Sequence, residues 1–460
     1  MRAGETQGRE DGQGPRPGVI SRRSILAGCL AGAGTLVLPK RAAAGRANAI
    51  PDADAYGSDV ATAWSDQTLR LIRQTPGFSP PVASRALAYM GVTLFEALVP
   101  GITDGRTLAG QVRDLPALPR AGRDSAYDWA IVANSALAGI ARDLFPTVSA
   151  GDLAAIDALE DGILAGARHG VPLGVVRRSI DRGRLVAAAT FEWSMADGGH
   201  EGFSNNFPPY EPRVGPGLWV PTPPGFLSAL QPYWGSCRTF ASASGAACPP
   251  GDPTPYDTDP ASAFFADALE VYEAVNQLTD EQHAIALFWS DDPGATVTPP
   301  GHSVSILTQT LRRRGASLAE AAIAYAKVGM AVADAFICCW HTKYRVNLLR
   351  PVTYIRSLID PVWSSLLTTP PFPEYTSGHS VQSGAAATVL TDLFGEVAFT
   401  DHTHDDRGLP SRSFRSFWDA ADEAAISRLY GGIHFRPAIE LGLEQGRCVG
   451  EHVNALRFRG

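Results

Sequence analysis

Apolar side chains recur at three- and four-residue steps through most of this chain, the spacing that gathers them on one face of an α-helix. The pattern predicts helices over residues 56 to 100, 123 to 145, 150 to 194, 258 to 290, 303 to 345 and 378 to 394, and over 414 to 456 with breaks. The predicted class is all-α, with two helical-bundle halves at residues 50–200 and 257–460. Residues 201–256 interrupt the periodicity with Pro, Gly and aromatic residues. They read as a long ordered loop, because Trp219, Phe226, Tyr233 and Trp234 require burial.

One helix runs in phase into a chemical site. In Ser317-Leu-Ala-Glu320 the Ser side chain can take one orphan backbone N–H while the Glu reaches back to another, so a helix starts there. Ala321, Tyr325, Val328, Val332, Ala335 and Cys339 form an apolar stripe whose next step is Lys343. If the helix continues, Arg350 falls on nearly the same face until Pro351 ends it, since proline lacks an N–H and disfavours αR in the residue before it. Lysine is scarce here, with only Lys40, Lys327 and Lys343 in the chain. Two inward cations are costly to bury unpaired, so an anion is expected opposite them.

Two further segments supply other donors. Ser377 reads as the N-cap of a helix that Gly395 ends, and the first turn of that helix offers free N–H groups and a positive dipole end, with His379 above them. Residues 420 to 430 read as helix, Gly431-Gly432 breaks it, and Pro437 can open a last helix. Arg428 and His434 then flank one pocket.

Together, Lys343-x6-Arg350-Pro351, Ser377-Gly378-His379 and Ser427-Arg428-x5-His434 resemble the three sequence blocks of the type 2 phosphatidic acid phosphatase (PAP2) and vanadium-dependent haloperoxidase superfamily. The likeness extends over about residues 80 to 456. Trp340 resembles the tryptophan beside vanadate in chloroperoxidase-type members, and Phe372 the halide-side aromatic. Asp292, in Phe288-Trp-Ser-Asp-Asp292, resembles the aspartate that pairs with the third-block arginine, here Arg428. Thr376 departs from the proline common before Ser-Gly-His, a change that removes no ligand. The resemblance implies that Lys343, Arg350 and Arg428 bind the equatorial oxygens of vanadate or phosphate, with Ser377 and the Gly378 N–H adding hydrogen bonds. It implies His379 as general acid/base and His434 as the axial group, the vanadium ligand with vanadate or a phosphohistidine-forming nucleophile with phosphate. The implied activity is oxidation of halide by hydrogen peroxide to hypohalous acid, or halogenation of a small organic acceptor. The alternative is an exported acid phosphatase acting on a phosphomonoester.

Composition refines this picture. The formal net charge is −8, and residues 1–49 carry +5 of opposite sign, which leaves an acidic remainder unsuited to nucleic acid. Ser21-Arg-Arg-Ser-Ile-Leu26, the uncharged stretch from Ser24 to Leu38 and the small residues near Ala49 read as a twin-arginine (Tat) export signal. A lipobox-like Leu26-Ala-Gly-Cys29 lies too close to Arg23 to be preferred. No later segment is expected to span a membrane, and the location implied is periplasmic or extracellular. In an exported chain, Cys237 and Cys248 are expected to form a disulfide, with Cys338, Cys339 and Cys448 in the core. Asp401-His-Thr-His404-Asp-Asp406 has metal-binding residue types but reads as a solvated turn.

Overall fold

The computed structural model describes residues 51–122 and 125–460; residues 1–49, read above as an export signal, and Cys29 lie outside the described residues. Five helices precede the long loop: α1 (Asp59–Gln74), α2 (Pro80–Leu98), α3 (Trp129–Leu144), α4 (Ala150–Ala167) and α5 (Leu173–Met195). After it come α6 (Ala263–Asn276), α7 (Asp280–Phe288), α8 (Thr298–Arg314), α9 (Leu318–Val346), α10 (Pro351–Leu358), α11 (Gly378–Phe394), α12 (Phe417–Tyr430) and α13 (Arg436–Asn454). A short antiparallel ribbon, β1 (Phe399–Asp401) with β2 (Arg412–Phe414), hangs between α11 and α12. The protein is therefore predominantly α-helical with a two-bundle architecture. The span predicted at 56 to 100 is two helices, because Pro76-Gly77 turns the chain with Gly77 at φ +85°.

The core is organised on α9. Its start is the capping box: the Glu320 N–H donates to Ser317 Oγ at 3.1 Å, and the Ser317 N–H to Glu320 Oε2 at 2.7 Å. The stripe from Ala321 to Cys339 is buried, but so is nearly every other face, because α9 packs against α2, α11 and α13. At Gly91 in α2 a Cβ would lie 2.4 Å from the Tyr325 carbonyl, so the two backbones meet without a side chain between them. Since α8 and α9 pack on α1 and α2, the core crosses the boundary expected at residue 257.

Several expectations need correction. The α9 helix stops at Asn347, whose φ of +59° closes it, and Arg350 lies on extended backbone as the N-cap of α10; Pro351 opens that helix rather than ending the previous one. Two segments, Pro80–Gly101 and Leu318–Val346, are long and apolar enough to cross a bilayer, contrary to the sequence expectation, although 94% of each apolar window is buried within the protein. In the long loop Trp219 and Trp234 are buried, whereas Phe226 (64%) and Tyr233 (38%) are exposed. The loop is held instead by Asp334 of α9, whose carboxylate accepts the N–H groups of Phe240, Ala241 and Ser242 at 2.6 to 2.9 Å. The disulfide joins Cys248 to Cys448, not to Cys237. The loop runs back across α13 and brings together residues 200 apart in sequence, while Cys237 turns inward as a buried free thiol.

Candidate active site

The three sequence blocks converge. His434 is set by Glu374: its Nδ1 lies 2.8 Å from Glu374 Oε1, and the Phe435 N–H donates to the same oxygen at 2.9 Å. With Nδ1–H donating to the carboxylate, Nε2 carries the lone pair, and Arg350 Nη1 donates to it at 3.2 Å. Arg350 is aimed by two carbonyls, Nε donating to Phe372 at 2.9 Å and Nη1 to Ile433 at 2.8 Å. Lys343 donates to the carbonyls of Pro373 and Glu374 at 3.0 and 2.9 Å. Arg428 donates from Nη1 to the Trp289 carbonyl at 2.8 Å. Ser377 caps α11, its Oγ accepting the Ser380 N–H at 3.3 Å, and places Gly378 and His379 in the first turn.

A cavity of about 230 Å³ opens on this constellation, lined by Gly378, His379, Arg428 and His434, with Trp340, Phe372 and Asp292 facing the same space. The Trp340 and Phe372 rings are 4.8 Å apart, and the Arg350 guanidinium lies 4.9 Å over Phe372. Lys343 and Arg350 are not among the groups that line it, but Arg350 reaches it through His434. Asp292 makes no direct ion pair with Arg428. It acts through its field, as the larger of two carboxylate influences on that guanidinium, the other being Asp291.

Burial dominates the electrostatics. It lowers Lys343 to about 7, helped by Arg350, and lowers Arg350 and Arg428 to about 10, which leaves both arginines charged at neutral pH. Burial first, and then the surrounding cations, push His434 and His379 well below the ordinary histidine range, so both rings are neutral in the ligand-free site. Burial raises Glu374 to about 7 against the pull of Lys343 and Arg350.

The donor set fits a tetrahedral oxyanion. Arg350 Nη2, Arg428 Nε and His379 Nε2 are buried without a hydrogen-bond partner. The two guanidinium donors are costly to bury unless a ligand completes them, and a vanadate or phosphate oxygen is the matching acceptor. Two features escaped sequence reasoning. Glu374 stands within the Phe-Pro-Glu-Tyr-Thr-Ser-Gly-His run, and its place before the second block was the available signal. The Asp401–His404 segment is not a solvated turn at both ends: Asp401 and His404 are buried and join Asp291 and His302, while His402, Asp405 and Asp406 stay exposed. Ligand-type atoms of Asp291, His302 and His404 lie within 4.8 Å of one another, a buried His/Asp cluster resembling a metal site. Its carboxylates repel an anion, so the charge needed for vanadate resides in the neighbouring cradle of Lys343, Arg350 and Arg428.

Fold and site together define a helical-bundle protein with a cavity set among buried arginine, lysine and histidine side chains. Residues 323–458 match the VCPO second helical-bundle domain. A bacterial vanadium-dependent iodoperoxidase superposes with a TM-score of 0.80 at 38% identity, over 88% of this chain and 97% of that one. The holo and apo forms of a bacterial vanadium-dependent chloroperoxidase share the fold at TM-scores of 0.65 and 0.63, each at 18% identity over 83% of this chain and over 93% and 98% of theirs. No curated protein sequence matches. The chain belongs to the vanadium-dependent haloperoxidase family.

Proposed function

We propose that the protein is an exported vanadium-dependent haloperoxidase that oxidises a halide with hydrogen peroxide, releasing hypohalous acid or halogenating a small organic acceptor. The observation that carries this reading is the set of buried, unpartnered guanidinium donors on Arg350 and Arg428, with the unpartnered His379 Nε2, around the neutral His434 ring. Lys343, Arg350 and Arg428 would supply the charge that holds vanadate, Ser377 and the Gly378 N–H would add hydrogen bonds, and His434 Nε2 would be the ligating nitrogen. When bound, vanadate supplies a Lewis-acidic centre that polarises peroxide for attack by halide. His379, neutral before ligand binds, accepts a proton from peroxide as it enters and returns it to the departing oxygen. Trp340 and Phe372 exclude water from one wall and leave a weakly hydrated halide there.

The same cradle suits phosphate, and the neutral Nε2 of His434 is the nucleophile a PAP2-type phosphatase needs; that is the second reading. The Cys248–Cys448 disulfide supports export to an oxidising compartment. Purified protein assayed with peroxide and each halide, with and without vanadate, tests the proposal. Halide oxidation is expected only with vanadate, together with inhibition of any phosphoester hydrolysis. Vanadate-loaded protein that hydrolyses phosphoesters undiminished and oxidises no halide sinks it.

A further inference from the structure

His302 of α8 has no part in the chemistry above, yet it is buried with both ring nitrogens committed. Nδ1 lies 2.9 Å from Asp291 Oδ2 and Nε2 lies 2.6 Å from Asp401 Oδ2. Carboxylates on both nitrogens of one ring require two N–H donors, which only the imidazolium carries. The ring stacks on Trp289, with centroids 4.5 Å and planes 20° apart, as a cation on an indole does. His404 stands edge-on at 4.8 Å, its Nε2 3.2 Å from Asp291 Oδ1. The Thr403 N–H and hydroxyl donate to Asp401 Oδ1. Burial resists charge on His302, but Asp291 and Asp401 outweigh it and lift the ring to about 10; against the same burial, His302 and His404 hold Asp291 well below the carboxylate range.

A divalent cation is the competing occupant of these residues. A ring whose two nitrogens both direct protons at carboxylates has no lone pair for a metal, which leaves Asp291 and His404 alone as ligands. The imidazolium is therefore favoured.

Asp291 links this cluster to the oxyanion site, because it lines the same cavity as His379 and Arg428. Its backbone sits at φ +49°, uncommon for a residue with a Cβ and sustained only where the surroundings fix it. We propose that His302 is a positioning residue: clamped as an imidazolium between Asp401 and Asp291, it holds Asp291 as a fixed anion on the wall of the oxyanion cavity, beside Arg428 and His379. The proposal rests on the oxyanion reading of that cavity. The ionisable groups around the clamp are Asp291 and Asp292 after α7, Asp401 and His404 at β1, His379 of α11 and Arg428 of α12. Without the clamp, Asp291 titrates beside the bound oxyanion and loses its fixed direction.

Imidazole ¹⁵N NMR of the ligand-free full chain reads His302 directly. A doubly protonated ring at pH 8 is expected; a neutral ring, or a stoichiometric divalent metal whose chelation shifts the His302 signal, overturns the clamp. Calorimetric titration with inorganic phosphate and with vanadate from pH 6 to 9 reads its role. His302→Gln is expected to weaken both anions roughly tenfold at pH 8 and to add a titration step that the wild type lacks. Asp291→Asn in that background restores binding to within about threefold of wild type, by removing the unneutralised charge. Asp401→Asn, which retains the side-chain shape, shifts affinity in the same direction should the Gln variant fail to fold. Variants with wild-type affinity and pH profile overturn the positioning role alone, whereas a wild-type protein that binds neither anion overturns the oxyanion reading and this role together.

Discussion

The cradle around His434 and the cluster around His302 are neighbouring sets of charges removed from water, and they meet the cost of burial in opposite ways. Around His302 opposite charges are paired: each nitrogen of the ring has a carboxylate and Asp401 has further donors, although Asp291 Oδ1 and His404 Nε2 keep no hydrogen bond. Around His434 like charges are gathered, and guanidinium donors on Arg350 and Arg428 and the Nε2 of His379 are left without partners. Residue types alone favour the wrong one, since two histidines and two aspartates look like a metal site. The chemistry of the leftover atoms favours the cradle for an anion, because its unpartnered guanidinium donors match an oxyanion whereas a carboxylate oxygen is left over beside His302.

Predictions that separate the two regions run from removal of the axial nitrogen downward. His434→Ala deletes the nitrogen that Glu374 and Arg350 hold toward the cavity, and halide oxidation by the vanadate-loaded protein is expected to fall by about 10³-fold or more, with any phosphatase activity lost alongside. Full activity in that variant removes the cradle from the chemistry. His379→Ala leaves Lys343, Arg350 and Arg428 intact, so vanadate binding measured by calorimetry should hold within a few fold while turnover drops roughly 10²- to 10⁴-fold. Glu374→Gln keeps the shape but weakens the acceptor that orients His434; vanadate affinity or turnover is expected to fall about 10- to 100-fold. An unchanged Glu374→Gln enzyme means that the Arg350 contact to Nε2, rather than the Glu374 carboxylate, sets the ring.

The sequence carried most of the cradle and little of its neighbour, for physical reasons. Helical period and capping chemistry are local, so α9 and the Ser377 cap could be read from residues a few positions apart, and the block spacing then gathered Lys343, Arg350, Arg428, His379 and His434. Contacts made by chain reversal were not legible. The clamp joins Asp291, His302 and Asp401 from three elements, and Asp401 and His404 sit in a polar run whose other members do face solvent. The disulfide failed for the same reason, since proximity within one loop suggested Cys237 while the fold brought Cys448. Phe226 shows the opposite error: an aromatic in a proline-rich loop need not be buried when backbone hydrogen bonds to Asp334 anchor the loop.

The smallest expected effect is the one that weighs the two regions against each other. His302 is raised from 6.5 to about 10, so its contribution to stability is complete below pH 6.5 and is lost as pH rises through 10. Lys343 is lowered from 10.5 to about 7, so the folded state gives up its proton before the unfolded one does, and stability gains from this group over nearly the same window. In the ligand-free protein the two oppose each other between pH 7.5 and 9.5, and the urea midpoint should move little from these causes. Saturating phosphate changes the sum, because an anion beside Lys343 keeps it charged and cancels its term, leaving the loss at His302 uncovered. Stability of the phosphate-bound protein should then fall by on the order of 1 to 3 kcal/mol across that window, and His302→Gln should flatten the decline. Cys237 and Cys338 are raised by burial without influence from Lys343, so they drop out of the comparison. A phosphate-induced shift in the midpoint that is the same at pH 7.5 and 9.5 would mean that Lys343 does not feel the bound anion, and the cradle would have to be redrawn around the two arginines.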